Sequence, residues 1–523
     1  MARKPRVRFK RGSTIAPPPA VPGFRARYDA AGTGRRAANW ANARGEGPIT
    51  AIAQDQDTLR RRCRHEFQNN PYGSRIADVV SGAVVGEGVK PNFRKLGDEA
   101  EQLQQWWNAW VEQADADEVV DLYGMQDLAM REIFAAGEVF VRGRRRAVPR
   151  TNDPAAMTRQ EREDAFLVAP LQLQMLPGEM VPTTDHVNGA KSGIVFRGPG
   201  RRAAYRFLLQ HPGESVGVNA AGSTEKDEVP ADEVMHVFKP RRAGQIRGEP
   251  WLVRGLIPLS ELDAFYDAAL VRHKLNAMVT WWVETPNAGA AENAPASYDE
   301  DGTPLDENGD PWEPEDPVDL LPEVEPGAVL PLPPGYKATA SAPQEVGGQF
   351  DIFTKRQMQR ICAAVSVPYE LVSEDTSGTN DRVLRVKLLH FHRLVRQWRG
   401  MLVSRFCRPT LRSFLEALEA AGRWSPSEGR TIDDYVRAVS WVGEPTIHIY
   451  PKQEIETDIA AIANVLKSPS QVIIERGGDP DTVFEQWAAD MARMRDLGIA
   501  PEDLVARMSS QNPNSSEDED GDD

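Results

Sequence analysis

The chain has 523 residues, 41% of them hydrophobic, which is enough to build cores for roughly three or four domain-sized units. No apolar run reaches the ~20 residues that cross a bilayer, and the basic start Met1–Arg6 lacks the apolar segment of a secretion signal. A net charge of −15 speaks against a tight nonspecific DNA binder, and the three scattered cysteines, Cys63, Cys362 and Cys407, speak against a disulfide scaffold or a structural zinc site.

The charge is unevenly spread. The first 64 residues carry 15 Lys and Arg against four acids, whereas 284–329 carries 14 acids and no base, and 508–523 six acids and no base. Such asymmetry predicts separate electrostatic roles, or solvated arms at the two termini. Residues 1–55 read as a flexible basic arm, punctuated by Pro17-Pro18-Pro19 and several glycines.

A helix is expected from about Thr58 to Asn69, stopped by Pro71, and a second carries Ile76, Val79, Val80 and Val84 at helical spacing. A third carries Leu103, Trp106, Trp107 and Trp110, an aromatic stripe best explained as core, and a fourth spans Met125–Phe134. The period then changes to that of short strands around 139–142, 171–175, 193–196, 204–207 and 234–238, which predicts antiparallel β. A long helix is expected over 256–283, then an acidic Pro- and Gly-rich stretch over 284–345, then a helix over 350–365. A turn-rich loop, 366–380, leads to a long helix from Asp381. Its apolar face holds Leu384, Leu388, Phe391, Val395, Trp398, Leu402 and Phe406, and a basic face lies opposite. Pro409 is expected to kink or restart this helix. A strand is expected at 446–450, and short helices over 457–508.

The motifs of common catalysis are missing. There is no G-x-x-x-x-G-K-[ST], no G-x-S-x-G and no H-E-x-x-H, and Gly86-Glu87-Gly88 lacks the third glycine of a dinucleotide fingerprint. Asp306–Pro311 resembles a calcium loop with proline where glycine is needed, and His390 and His392 fall on different sides of a helix. The expectation is a non-enzyme with no cofactor and no metal.

Several segments together resemble the lambda-type family of phage portal proteins. They are Asn69-Asn70-Pro71-Tyr72 with Val84-Val85-Gly86-Glu87-Gly88; Gly137-Glu138-Val139-Phe140; His236-Val237-Phe238-Lys239-Pro240 running on to Gly244-Gln245-Ile246-Arg247-Gly248; and Val367-Pro368-Tyr369-Glu370-Leu371-Val372-Ser373-Glu374-Asp375. The long helix departs from the family's serine-rich start, having Thr379-Asn380-Asp381-Arg382 instead.

The resemblance implies an α+β portal fold. Residues 56–255 would be the first part of a wing, 256–283 and 346–366 paired stem helices, and 284–345 a clip between them. A tunnel loop at 367–380, a tunnel helix and second wing part at 381–452, a crown at 453–510 and a disordered acidic tail at 511–523 would complete the subunit. It further implies a dodecameric ring at the capsid vertex of the virion, assembled in the host cytoplasm, with no membrane. Its partners would be double-stranded DNA, the terminase large subunit, a head–tail adaptor, and the major capsid protein or a scaffold. The channel candidates are Ser373, Thr376, Ser377, Asn380, Arg382, Arg385 and Lys387. The basic residues among them could equally pair with a neighbouring subunit. The rival readings are a nuclease-like enzyme using the basic helix as its DNA face, and an adaptor or capsid subunit.

Overall fold

The computed structural model describes residues 45–148, 156–198, 200–214, 225–277, 281–284, 297–299, 301–305, 308, 310–311, 337–340, 349–444, 451–476 and 480–498. A short helix, Pro48–Ala53 (α1), opens the described chain, so the arm expected through residue 55 already has regular structure in its last turn. Two helices come next, almost without a break: Gln56–Asn69 (α2) and Pro71–Val84 (α3). Pro71 removes a backbone donor, so the first helix cannot continue through it. Asn70 converts the break into a cap, its Oδ1 accepting from the N–H groups of Tyr72 at 3.0 Å and Gly73 at 3.2 Å. Gly86 and Gly88, at φ 56° and 108°, then turn the chain into a short strand, Lys90–Asn92 (β1).

Helices Ala100–Val111 (α4) and Leu122–Ala136 (α5) carry the expected aromatic and aliphatic stripes. Trp107 and Trp110 are fully buried, while Trp106 only borders the core. Both buried indoles pack on Phe414, with ring centroids 5.2 and 5.0 Å away, which ties the N-terminal helices to a helix some 300 positions later.

Gly137 closes α5 at φ 90° and starts the β region. Strand Glu138–Arg145 (β2) is followed by the short helix Arg159–Asp164 (α6) and strand Leu171–Pro177 (β3). Next come Ala190–Lys191 (β4), Ile194–Arg197 (β5), Arg201–Leu208 (β6), Lys226–Pro230 (β7) and Val234–Phe238 (β8). They form two antiparallel sheets, ordered β3-β2-β8 and β4-β5-β6-β7. The five strands expected from alternation are all present. Strand β7 is not legible in the sequence, because it is a polar edge strand (Lys226-Asp227-Glu228-Val229-Pro230) whose composition opposes strand propensity.

Helix Val253–Ala277 (α7) ends earlier than the expected 283. Residues Trp281–Glu284 form a strand (β9) instead, as aromatic and β-branched residues favour. Short strands Ser297–Tyr298 (β10) and Pro304–Leu305 (β11) pair with each other, and Lys337–Ala340 (β12) pairs antiparallel with β9. Helix Gln349–Val365 (α8) then returns along α7. Phe265 of α7 stacks on Phe350 at 5.5 Å, while the position of Gly255 at the other end lies against Ile361 and Ala364, so the two helices run antiparallel. The apolar residues of α7 are only partly covered: Leu259 and Leu262 are buried, but Phe265 and Val271 remain exposed.

The loop expected over 367–380 contains a helical turn, Tyr369–Ser373 (α9). Pro368 sets its start, and the burial of Val367 and Val372 anchors it, leaving only 374–380 as loop. Helix Asp381–Leu402 (α10) starts at the expected residue, capped by Asn380. The restart expected at Pro409 is present, with the proline in the first turn of a new α-helix. A π turn over Val403–Cys407 absorbs the missing donor, and Arg408–Ala420 (α11) continues from it.

Helix Ile432–Ala438 (α12) leads to Ser440–Val442 (β13), which pairs with β1. Pro451–Ala463 (α13), Pro469–Glu475 (α14) and Pro480–Asp496 (α15) form the helical C-terminal part. The expected strand at 446–450, residues 1–44 of the arm, most of the acidic 284–345 stretch with its calcium-like loop, and the tail 511–523 lie outside the described residues.

Gly137 is fixed twice over. Its φ of 90° suits glycine, and a Cβ there would sit 2.4 Å from the backbone carbon of Glu249. Gly137→Ala is therefore expected to lower stability by about 2 kcal/mol or more, read as a depressed thermal midpoint in circular dichroism.

Candidate functional site

Two clusters gather the residues that the sequence singles out. The first is buried at the junction of α2, α5, β2 and the segment after β8. Glu138 opens β2 with its side chain wholly out of solvent. A lone carboxylate could not remain charged there, and this one is surrounded by donors. Arg247 Nε donates at 2.8 Å, His236 Nε2 at 2.9 Å, the Gly248 N–H at 2.6 Å, Gln56 Nε2 at 3.2 Å, and Arg60 donates as well. Burial alone would raise the Glu138 carboxyl, but the Arg247 and Arg60 guanidiniums outweigh it and hold the group well below its ordinary value.

Two guanidiniums face one carboxylate, so the surplus positive charge needs other acceptors. Carbonyl oxygens supply them. Arg60 donates to Ala136 and Gly178, each at 3.1 Å, and Arg247 donates to Ser192 at 2.5 Å, Val181 at 2.9 Å and Gly178 at 3.1 Å. His236 stacks between Phe140 and Phe238, with ring centroids at 4.3 and 4.5 Å. Burial pushes its pKa down to about 4, so it is neutral, and since a carboxylate only accepts, its Nε2 carries the proton.

The motifs are thereby explained by packing. Gly137 and Gly248 come from different motifs and face each other, and a Cβ on Gly248 would lie 2.0 Å from the Gly137 carbonyl oxygen. Gln245 staples the connecting turn, accepting from the N–H groups of Arg241 and Arg242 and donating to the Arg247 carbonyl at 2.7 Å. Lys239 sits between Trp251 and Trp398, 5.1 and 5.3 Å from their rings, so the same motif also grips α10. The sequence presents Glu138, His236 and Arg247 as motif letters without showing that they meet, and it does not single out Gln56 and Arg60 as members. A signal is nevertheless present: three charged or ionisable residues beside glycines that only close backbone approach requires.

The second cluster is the loop 374–380 with the start of α10. Asp375 is its anchor, accepting from Lys355 Nζ at 2.7 Å, Tyr369 Oη at 3.0 Å and the Ser377 N–H at 2.9 Å. The Lys355 and Ser377 hydrogen bonds hold its carboxyl well below the usual carboxylate range. The expected channel residues divide in two. Ser373 turns inward, its Oγ donating to the Tyr369 carbonyl at 3.0 Å, and Lys387 reaches the buried Glu370 at 2.5 Å. Thr376, Ser377, Asn380 and Arg382 are exposed, and Arg385 is half-buried. Asn380 spends its side-chain oxygen on capping α10, at 2.9 Å from the Arg382 N–H.

The cysteine thiols sit in apolar surroundings. Burial raises the Cys63 and Cys362 thiols to about 12, which leaves them protonated. Among the described residues no group of three or more His, Cys, Asp or Glu is placed to hold a metal, and no helix is long and apolar enough to cross a membrane.

The model of the lambda family of phage portal proteins matches residues 33–399, and the chain belongs to that family, a family of structural proteins of the virion. A protein of Halomonas phage phiHAP-1 described as a probable portal protein is 23% identical over 469 residues, spanning 86% of this chain and 82% of its own length. Among solved structures, the neck of an empty gene transfer agent particle aligns with 83% of this chain and 99% of its own, at 14% identity and a TM-score of 0.45. The neck of the native particle, described with C12 symmetry, aligns at 14% identity over the same shares, with a TM-score of 0.44.

The buried cluster makes stability depend on pH. The unfolded His236 takes up a proton near pH 6.5, the folded one only near pH 4, so the unfolded chain binds more protons between these values. Stability is expected to fall by up to about 3 kcal/mol as pH drops through that window. Glu138, whose pKa is depressed in the fold, adds a loss of the same sign below its ordinary value of 4.5. Thermal melts between pH 7 and pH 4 read this, and His236→Gln should flatten the slope. Glu138→Gln should cost about 3–5 kcal/mol at any pH in that range, because it leaves two buried guanidiniums without their counter-charge.

Proposed function

We propose that the chain is one subunit of a closed ring of about a dozen copies at the capsid vertex, through which double-stranded DNA is packaged and later ejected. The observation that carries this reading beyond family membership is the hairpin of α7 and α8. Two antiparallel helices leave the body together and are joined through the paired strands β9 and β12. That order fits a stem made of two helices and a clip made of the residues between them. On this reading 374–380 is the tunnel loop, α10 the helix behind it, the β sheets part of the wing, and α13–α15 the crown.

The surface supports assembly as well. Large apolar side chains are left exposed on α7, α10 and α13–α15, among them Ile257, Val386, Ile459 and Trp487. A ring would cover such residues where a lone subunit cannot. The family match favours this reading over a nuclease-like enzyme and over an adaptor or capsid subunit. The ring itself does no chemistry on this reading. The terminase large subunit supplies ATP hydrolysis from outside, the head–tail adaptor docks after packaging, and the major capsid protein or a scaffold surrounds the ring.

A channel must guide DNA without holding it. A lining of many cations would trap phosphates, so few can face the duplex. A few weak contacts then suffice, and Thr376, Ser377, Arg382 and Arg385 are the candidates. Ser373 and Lys387 have partners within their own chain and contribute by holding the loop.

Native mass spectrometry and negative-stain microscopy of the purified chain should show closed rings with a central hole. A monomer at every salt and concentration would overturn the reading. In a packaging assay, Arg382→Gln with Arg385→Gln should lower DNA packaged or retained several-fold while rings still form. Loss of rings instead would assign these arginines to the contact between subunits.

A further inference from the structure

Two long helices each present a seam that the described residues leave exposed. On α7 the seam is Ile257, Glu261, Ala264, Ala268 and Val271, at successive steps of four, three, four and three residues. On α10 it is Val386, Leu389, Arg393 and Arg396, at steps of three, four and three. Every one of these residues is exposed, with Ile257, Val271, Val386 and Leu389 each more than half so. Alternating steps of three and four keep side chains on one side of a helix and let it lie along a second helix, knobs into holes. The inward faces of both helices are already occupied by the core, through Leu259 and Leu262 on α7 and Phe391, Val395, Trp398 and Leu402 on α10.

The two seams differ in charge. Arg254, bridged to Glu249 at 3.0 Å, and Arg272 stand at the two ends of the α7 seam, but between Ile257 and Val271 the charged residues are all acids: Glu261 in the seam, Asp267 at its edge and Asp263 further round, each exposed. Arg393 and Arg396 lie in the α10 seam. Among the described residues neither these three acids nor these two arginines make a salt bridge. One seam is thus apolar and acidic with small alanines that permit close approach, and the other is apolar and basic. Neither is self-complementary, because pairing a seam with its own copy would set like charges together. They are complementary to each other.

We propose that the acidic seam of α7 in one subunit packs lengthwise on the basic seam of α10 in the next copy of the same chain. The contact is head-to-tail, as a closed ring requires, so every subunit uses both seams once. This rests on the ring reading above and deepens it by naming the surfaces that meet.

The test uses two full-length variants. One reverses the acidic seam, Glu261→Arg with Asp267→Arg, and the other reverses the basic seam, Arg393→Glu with Arg396→Glu. Circular dichroism melts check that both are folded, and native mass spectrometry counts subunits. Wild-type chain should form rings, whereas each variant alone, now facing itself with like charges, should give monomers and short oligomers. Mixed in equal amounts, the two variants should assemble, because each α7 seam now meets an α10 seam of opposite sign in the other variant. The rings formed must hold an even number of subunits with the variants in equal numbers. Rings from either variant alone would overturn the proposal, as would two folded variants that stay unassembled when mixed. If wild-type chain forms no rings, the ring reading fails and takes this contact with it. A variant that does not fold is replaced by its milder form, Glu261→Gln with Asp267→Asn or Arg393→Gln with Arg396→Gln. Rings less stable than wild-type rings at low salt, with a difference that shrinks as salt rises, then support the contact, and stability and salt dependence both unchanged overturn it.

Discussion

The described fold depends on one carboxylate. Glu138 sits where a helix ends and the central strand of a sheet begins, at a position no water reaches. Removing a charged group from water costs several kcal/mol, so its retention requires donors fixed in place from all sides. Those donors come from α2, from β8 and from the turn after it, segments far apart in the chain. The carboxylate therefore acts as a condition on assembly: it is tolerable only when all three have docked. A hydrophobic residue at the same place would pack with any apolar neighbour, whereas this group accepts one arrangement.

That condition explains which parts of the fold were legible in the sequence. Helices α2 to α5 and five strands are visible because each buries one face in one of two apolar clusters, and Pro71, Gly86 and Gly137 mark helix boundaries. The motif residues Gly137, Glu138, His236 and Gly248 could be read as belonging together, but not as touching, since the contacts that unite them span 98 and 110 positions. The misses have local causes. The end of α7 falls among residues that suit helix and strand alike, the turn α9 is too short for a periodic signal, and β7 is a polar edge strand. Of the channel candidates, Lys387 looks in sequence like its neighbours Arg382 and Arg385. Only the fold shows it bound to Glu370, seventeen positions earlier and buried.

The long C-terminal helical run shows a related economy of structure. A proline in its middle would ordinarily bend the chain away from the core. Here the π turn before Pro409 re-phases the helix, so that Phe406, Leu411 and Phe414 continue the buried face begun by Phe391 and Trp398. The aromatic group of Trp107, Trp110 and Phe414 depends on that continuity, and with it the link between the two ends of the described core.

The pairing of β9 with β12 has a consequence for how such a chain can change over time. The two strands lie side by side in antiparallel register, with Glu284 opposite Lys337, whatever lies between them. Closing a longer or shorter stretch between fixed ends alters the entropy only with the logarithm of its length. The junction is thus a permissive site: sequence can be gained, lost or exchanged there while α7 and α8 keep their contact. An acidic segment so unlike the rest of the chain is what such a site would be expected to accumulate. The same tolerance would let the segment change in length or composition without disturbing the pair of helices that carries it.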